Sequence, residues 1–102
     1  MKTIQVAELN QKLQNGEKIH LVDVRESFEH DEFNIGGILL PLGDIRIGDT
    51  EKIDHLKDEE VYLYCRSGNR SGQAALILET MGFTNVTNVV GGMLAWKDSF
   101  GV

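Results

Sequence analysis

The chain has 102 residues, 41% of them hydrophobic, and a formal charge of −6. That is enough apolar material for one core and too little chain for a second catalytic module, so a single domain over residues 1–102 is expected. The negative field opposes nucleic acid and anionic membranes, no apolar run nears the ~18 residues that span a bilayer, and the start shows no basic-then-apolar export signal, so a soluble cytoplasmic protein is the expectation.

Residues 3–6 predict a short strand and residues 7–15 a helix, with Leu9 and Leu13 one turn apart and Gly16 as its stop. Residues 19–24 predict a second strand. Leu21 and Val22 are adjacent, so both of its faces are apolar, as in a central parallel strand covered on both sides. Asp23 and Arg25 share a face at its carboxyl end, where an ion pair between them would fix neighbouring loops without touching substrate. Residues 26–33 predict a short acidic helix with Ser27 near its start and Phe28 and Phe33 packed inward. Ile38-Leu39-Leu40, just before Pro41, predicts a third strand. Residues 42–60 mix glycines and charges with Leu42, Ile45, Ile47, Ile53 and Leu56, which predicts a loop and a short helix over one face of the sheet, with Arg46 exposed.

The stretch Val61-Tyr62-Leu63-Tyr64-Cys65-Arg66-Ser67-Gly68-Asn69-Arg70-Ser71 carries the chemistry. An apolar run, a polar loop and then the apolar run 74–78 predict strand, loop and helix, with the only cysteine at the strand's end. In a parallel sheet the ligand crevice lies beyond the carboxyl ends of the strands, where helix N-termini present free N–H groups. Cys65 would therefore sit in an electropositive nest, strengthened by Arg66 and Arg70, both expected to surround an anion over the sulfur. All of these favour thiolate, lowering the thiol from its reference near about 8.5. Gly68 permits the positive φ that turns successive N–H groups to one centre. Ser67, Asn69 and Ser71 are expected to satisfy loop amides or cap the helix, Ser71 near its first turn. The chemistry requires a sulfur ringed by main-chain donors; a side chain packed inward away from solvent would leave only a fold. A lone cysteine makes no internal disulfide, which fits a reducing compartment.

Residues 73–81 predict a well-buried helix ended by Gly82, residues 86–90 a last strand, and Met93, Trp96 and Phe100 a closing helix after Gly91-Gly92. His20, His30 and His55 have no ligand-like spacing, so no metal and no cofactor is expected. Strands alternating with helices give an α/β domain with a mainly parallel sheet of about five strands, flanked by helices on both faces.

Four segments, in order along nearly the whole chain, resemble the rhodanese-like sulfurtransferases in their single-domain thiosulfate sulfurtransferase form. They are Leu21-Val22-Asp23-Val24-Arg25-Glu26, the loop from Cys65 to Ser71, Met81-Gly82-Phe83, and Gly91-Gly92 with Trp96. The resemblance implies that Cys65 takes the outer sulfur of a small anionic donor such as thiosulfate, carries it as a persulfide and passes it to cyanide, a thiol or a protein. It also implies that the amides of residues 66–70 (Arg66, Ser67, Gly68, Asn69 and Arg70) hold the persulfide charge, with Arg66 and Arg70 on the departing anion. Ser71, Asp23 and Arg25 would support the loop. Such a protein is expected to be a monomer or weak dimer, binding neither nucleic acid nor membrane; a non-catalytic or sulfur-carrier module acting through a partner is the alternative. Phosphatases with a related fold carry C-x5-R, whereas Cys65 and Arg70 give C-x4-R, a tighter cup suited to one sulfur atom. Where relatives show His-Ile-Pro-Gly-Ala, this chain has Asn34-Ile35-Gly36-Gly37-Ile38, and glycine in place of proline is expected to loosen that turn.

Overall fold

The computed structural model describes residues 1–101, in which five short parallel strands form one sheet. The strands are β1 (Lys2–Ile4), β2 (His20–Asp23), β3 (Ile38–Leu39), β4 (Val61–Tyr64) and β5 (Val86–Val89), in the spatial order β1-β5-β4-β2-β3. Between and after them run helices α1 (Val6–Gln14), α2 (Ser27–Glu32), α3 (Leu42–Arg46), a 3-10 helix (Glu51–Leu56), α4 (Asn69–Thr80) and α5 (Gly92–Phe100). The expected α/β architecture is therefore the observed one.

β4 lies at the centre, with Leu63 opposite Val22 of β2 on one side and Asn88 of β5 on the other. Its residues alternate between two cores, because successive side chains of a strand point to opposite faces. Val61, Leu63 and Cys65 pack with Ala74, Ala75 and Leu78 of α4 and with Leu42, Ile45 and Ile53. Tyr62 and Tyr64 pack on the other face with Leu9 of α1 and Met93 of α5. Both faces of the strand are buried, which is why its sequence is an unbroken apolar run.

Three sequence expectations need correction. Phe28 is 69% exposed, because α2 has only six residues and no buried position, while Phe33 packs against the second core as expected. Helix α4 begins at Asn69, four residues earlier than its apolar pattern indicates, since polar residues that face the loop also form its first turn. Nor is it well buried: Ala74, Ala75 and Leu78 face the core, but Leu76 on the outer side is 58% exposed. The turn at residues 34–37 is tied by side chains. Asn34 donates from its amide to the His30 carbonyl (2.9 Å) and accepts from the Gly36 N–H (2.8 Å). The Tyr64 hydroxyl donates to the Gly36 carbonyl at 2.9 Å, a tie from the central strand to the turn.

The closing helix meets the central loop at Gly92. A Cβ there would lie 2.3 Å from the Cys65 carbonyl oxygen and 2.8 Å from the Arg66 backbone, at a φ of +52. Gly92→Ala is therefore expected to destabilise the fold by about 2–4 kcal/mol, the range of overpacking combined with backbone strain. Gly43→Ala, helical and in open space, should be neutral or stabilising by up to about 1 kcal/mol. Urea midpoints of the two variants check the contrast, and equal midpoints would contradict the close approach at Gly92.

Candidate active site

At the carboxyl end of β4 the chain turns through Arg66 and Ser67 to Gly68, which caps α4 in the left-handed region at φ 96. Gly68 offers the helix no side-chain cap, so the first N–H groups of α4 need another acceptor. The Cys65 sulfur is that acceptor. It receives the Gly68 N–H at 3.1 Å, the Ser71 N–H at 3.4 Å and lies 3.3 Å from the Ser71 hydroxyl. Ser71 is thus not a cap; it stands two residues inside the helix, fully buried, with its side chain turned back on the thiol.

A second helix orients the loop from behind. The N–H of Met93 donates to the Cys65 carbonyl and that of Leu94 to the Arg66 carbonyl, both at 2.9 Å. In a trans peptide the N–H points opposite to its C=O, so holding these two carbonyls on α5 aims the following N–H groups, of Arg66 and Ser67, the other way. The Ser67 N–H is among the donors that favour the thiolate.

Cys65 is only 1% exposed, so by area the side chain is packed inward, against the expectation that a reactive thiol here would face solvent. Exposure is the wrong criterion, because donors as well as hydrocarbon bury the sulfur. Its covering on one side is apolar core and on the other the ring of donors. Burial pushes the thiol up, but the Ser71 hydroxyl and amide and the Gly68 and Ser67 amides more than offset it, and the net direction is down. An inert cysteine buried among hydrocarbon shifts the opposite way. The donor ring, and not exposure, distinguishes this sulfur.

The two loop arginines differ. Arg70 is committed to Glu29 of α2 by two parallel bonds of 2.7 and 2.9 Å, the bidentate geometry of a guanidinium on a carboxylate. It does not stand free over the sulfur as the sequence suggested. Arg66 is exposed and makes no salt bridge among the described residues. With Lys97 it lines a cleft of about 270 Å³ that also touches Phe33 and Met93, and the sulfur is not part of its wall. Ser67 and Asn69 have exposed side chains, and Asn69 accepts a bond from Gln73 at 3.4 Å.

Asp23 and Arg25 form the expected ion pair, through Nε (2.9 Å) and a terminal nitrogen (2.8 Å), and Arg25 also donates to the Phe33 carbonyl at 2.7 Å. His30 adds a ring nitrogen 2.8 Å from Asp23. Burial pushes the Asp23 carboxyl up, but Arg25 and His30 hold it below its ordinary value. This network fixes α2, and α2 supplies Glu29 to Arg70. Sequence reasoning missed Glu29, His30 and Asn88. Glu29 lies 41 residues from Arg70 and gives no local signal. Asn88 gives one: a polar residue inside a strand whose every position is buried.

Glu29 accepts from Arg70 and, through the capping box of α2, from the Glu26 N–H. Arg70 is the main reason its carboxyl falls from 4.5 to about 2. A carboxyl depressed by folding contributes stability that is complete above its unfolded value and is lost as pH falls through the folded one. The gap in melting temperature between the wild type and Glu29→Gln should therefore be full at pH 6 and close as pH falls from 4.5 to about 2. A gap independent of pH over that window would show that the bridge does not form.

The Rhodanese-like domain family model matches residues 5–99. A Bacillus subtilis protein provisionally named as a sulfurtransferase, YtwF, is 41% identical over 99 residues, covering 95% of this chain and 91% of its own. YrkF of the same organism, provisionally named as a sulfur carrier protein, is 35% identical over 94 residues; the match covers 91% of this chain and 49% of YrkF. Among solved structures, a rhodanese-like domain protein from Staphylococcus aureus superposes with a TM-score of 0.81 at 33% identity, covering 94% of this chain and 91% of that one.

Proposed function

The chain belongs to the rhodanese-like domain family, and from that premise we propose that it is a sulfurtransferase working through a persulfide on Cys65. The observation that carries the proposal is the sulfur acting as acceptor for the N-terminal amides of α4. The donor is a small anion such as thiosulfate. The Cys65 thiolate attacks its outer sulfur, the sulfur–sulfur bond of the donor breaks, and sulfite departs with the electron pair. A nucleophilic acceptor (cyanide, a thiol or a protein) then attacks the outer sulfur of the persulfide, and Cys65 leaves as thiolate. No cofactor is needed for either step.

The amides of Ser67, Gly68 and Ser71 stabilise charge on sulfur in a site closed to water, where preoriented dipoles act more strongly than solvent. Arg66, exposed beside the thiol and without a salt bridge among the described residues, holds the anionic donor and the departing sulfite. Arg70 acts through the bridge to Glu29, keeping the first turn of α4 in place. Because the sulfur is covered, slender donors enter more readily than bulky ones.

A second reading has support in one relative's name: YrkF is provisionally a sulfur carrier, and this chain matches about half of it. A carrier would load sulfur on Cys65 and release it only to a docked partner. Steady turnover of thiosulfate and cyanide without any partner decides for the enzyme.

Incubation with thiosulfate should add one sulfur, about 32 Da, to the intact mass of the wild type and not to Cys65→Ser. An unchanged wild-type mass under thiosulfate and polysulfide would remove the persulfide mechanism. Arg66→Ala should raise KM for thiosulfate roughly tenfold, the loss of one charge-assisted hydrogen bond, with Arg66→Lys recovering part of it. An unchanged KM would place the anion elsewhere.

A further inference from the structure

The Ser71 hydroxyl lies between two acceptors and has one proton to give. It is 3.3 Å from the Cys65 sulfur and 2.6 Å from Oδ1 of Asn88, on β5. The orientation of the Asn88 amide is fixed by its other end, where Nδ2 donates to the Gly68 carbonyl at 3.2 Å. Oδ1 therefore faces Ser71 as an acceptor only. Ser71 is fully buried and Asn88 8% exposed, so neither can exchange its partner for bulk water at will.

We infer that the Ser71 hydroxyl is a two-position donor, parked on Asn88 when Cys65 carries no charge and turned to the sulfur when it does. Asn88 is then a positioning residue for the reaction. The inference rests on the sulfur-transfer reading for its role, and on the shared hydroxyl alone for its existence. In the protonated enzyme the thiol S–H can donate to the hydroxyl oxygen while the hydroxyl proton stays on Asn88. In the persulfide the charge sits on the outer sulfur, and the inner one needs no such donor. When an acceptor attacks the outer sulfur, the sulfur–sulfur bond breaks and its electron pair returns to Sγ. At that moment the hydroxyl rotates from Asn88 to the sulfur. No proton is transferred; a hydrogen bond is made where charge develops, which is where it lowers the barrier. Each such rotation leaves Oδ1 unpaired, so Asn88 holds the thiol less acidic than the donor ring alone would make it.

The Gly68 carbonyl keeps the Gly72 N–H at 3.0 Å when Asn88 is replaced, and the loop keeps its two bonds to α5. Removing the Asn88 amide therefore frees the hydroxyl more than it loosens the cup. The charged groups around the thiol are Arg66 of the loop, Arg70 of α4 with Glu29 of α2, and the Asp23–Arg25 pair of β2 with His30. Exchanges of Asn88 or Ser71 for neutral residues alter none of these charges.

The test is a titration of the Cys65 thiol, by thiolate absorbance and by the pH dependence of iodoacetamide alkylation, in the wild type, Asn88→Leu, Ser71→Ala and the double variant. Asn88→Leu, close to isosteric, should lower the thiol pKa by about one unit, the scale of one buried hydrogen bond. Ser71→Ala should raise it, and adding Asn88→Leu to Ser71→Ala should lower it no further, since there is no hydroxyl to release. Asn88→Val, with a side chain suited to a strand, repeats the test in a second background. A pKa raised or unchanged in both Asn88 variants overturns the inference, as does an equal fall in the presence and absence of Ser71. The titration uses no sulfur donor. A failed persulfide assay beside a lowered pKa would remove the sulfur-transfer reading and leave the two-position hydroxyl standing.

Discussion

One unmet need organises the structure: a helix of twelve residues starts without a side chain to cap it. The free N–H groups at such an end carry about half a positive charge and seek an acceptor. Here the acceptor is a sulfur contributed by the preceding strand, so satisfying the helix and activating the thiol are the same contact. Neutral thiol is a poor partner for those donors and thiolate a good one. Burial opposes ionisation, but the Ser71 hydroxyl and the backbone amides together outweigh it and bias the proton off the sulfur.

The contact survives only if β4, the loop and α4 keep their relative positions, and two sets of bonds enforce this. Behind the loop, α5 holds the Cys65 and Arg66 carbonyls, which is possible because Gly92 lets its backbone approach within the radius of a Cβ. Beside the loop, the buried Asp23–Arg25 pair anchors the segment that presents Glu29 to Arg70. A buried ion pair is a weak source of net stability but a strict geometric constraint, because breaking it strands a charge. Its position at the end of β2, next to β4 in the sheet, puts that constraint where the loop begins.

Most of the fold was legible in the sequence, and for a physical reason. Strands buried on both faces are mostly apolar, as Val61-Tyr62-Leu63-Tyr64 is, and helices between them place apolar residues at turn spacing. The Asp23–Arg25 pair was legible because residues two apart on a strand share a face. The failures lie where the decisive partner is distant in sequence. Arg70 looks like an anion ligand until Glu29 is brought to it by α2, and Ser71 looks like a cap until the left-handed Gly68 starts the helix before it. Phe28 looks like core, but a six-residue helix at the edge has no buried face to offer it.

The division of labour between the arginines follows from an acidic body with a local positive site. Overall charge of −6 repels anions at a distance, so the small anionic donor proposed for this site would need a cation that is not already neutralised. Arg70 is neutralised by Glu29 and contributes little outward field; its value is rigidity in the first turn of α4. Arg66 is exposed, makes no salt bridge among the described residues, follows the thiol directly, and has its carbonyl fixed on α5. On the proposed sulfur-transfer reading, a fixed backbone beneath an exposed guanidinium suits a group that binds donors and releases sulfite. On that reading the loop separates two tasks that a single arginine would perform poorly: holding the cup's shape, which favours a tight bridge, and exchanging anions, which a tight bridge forbids.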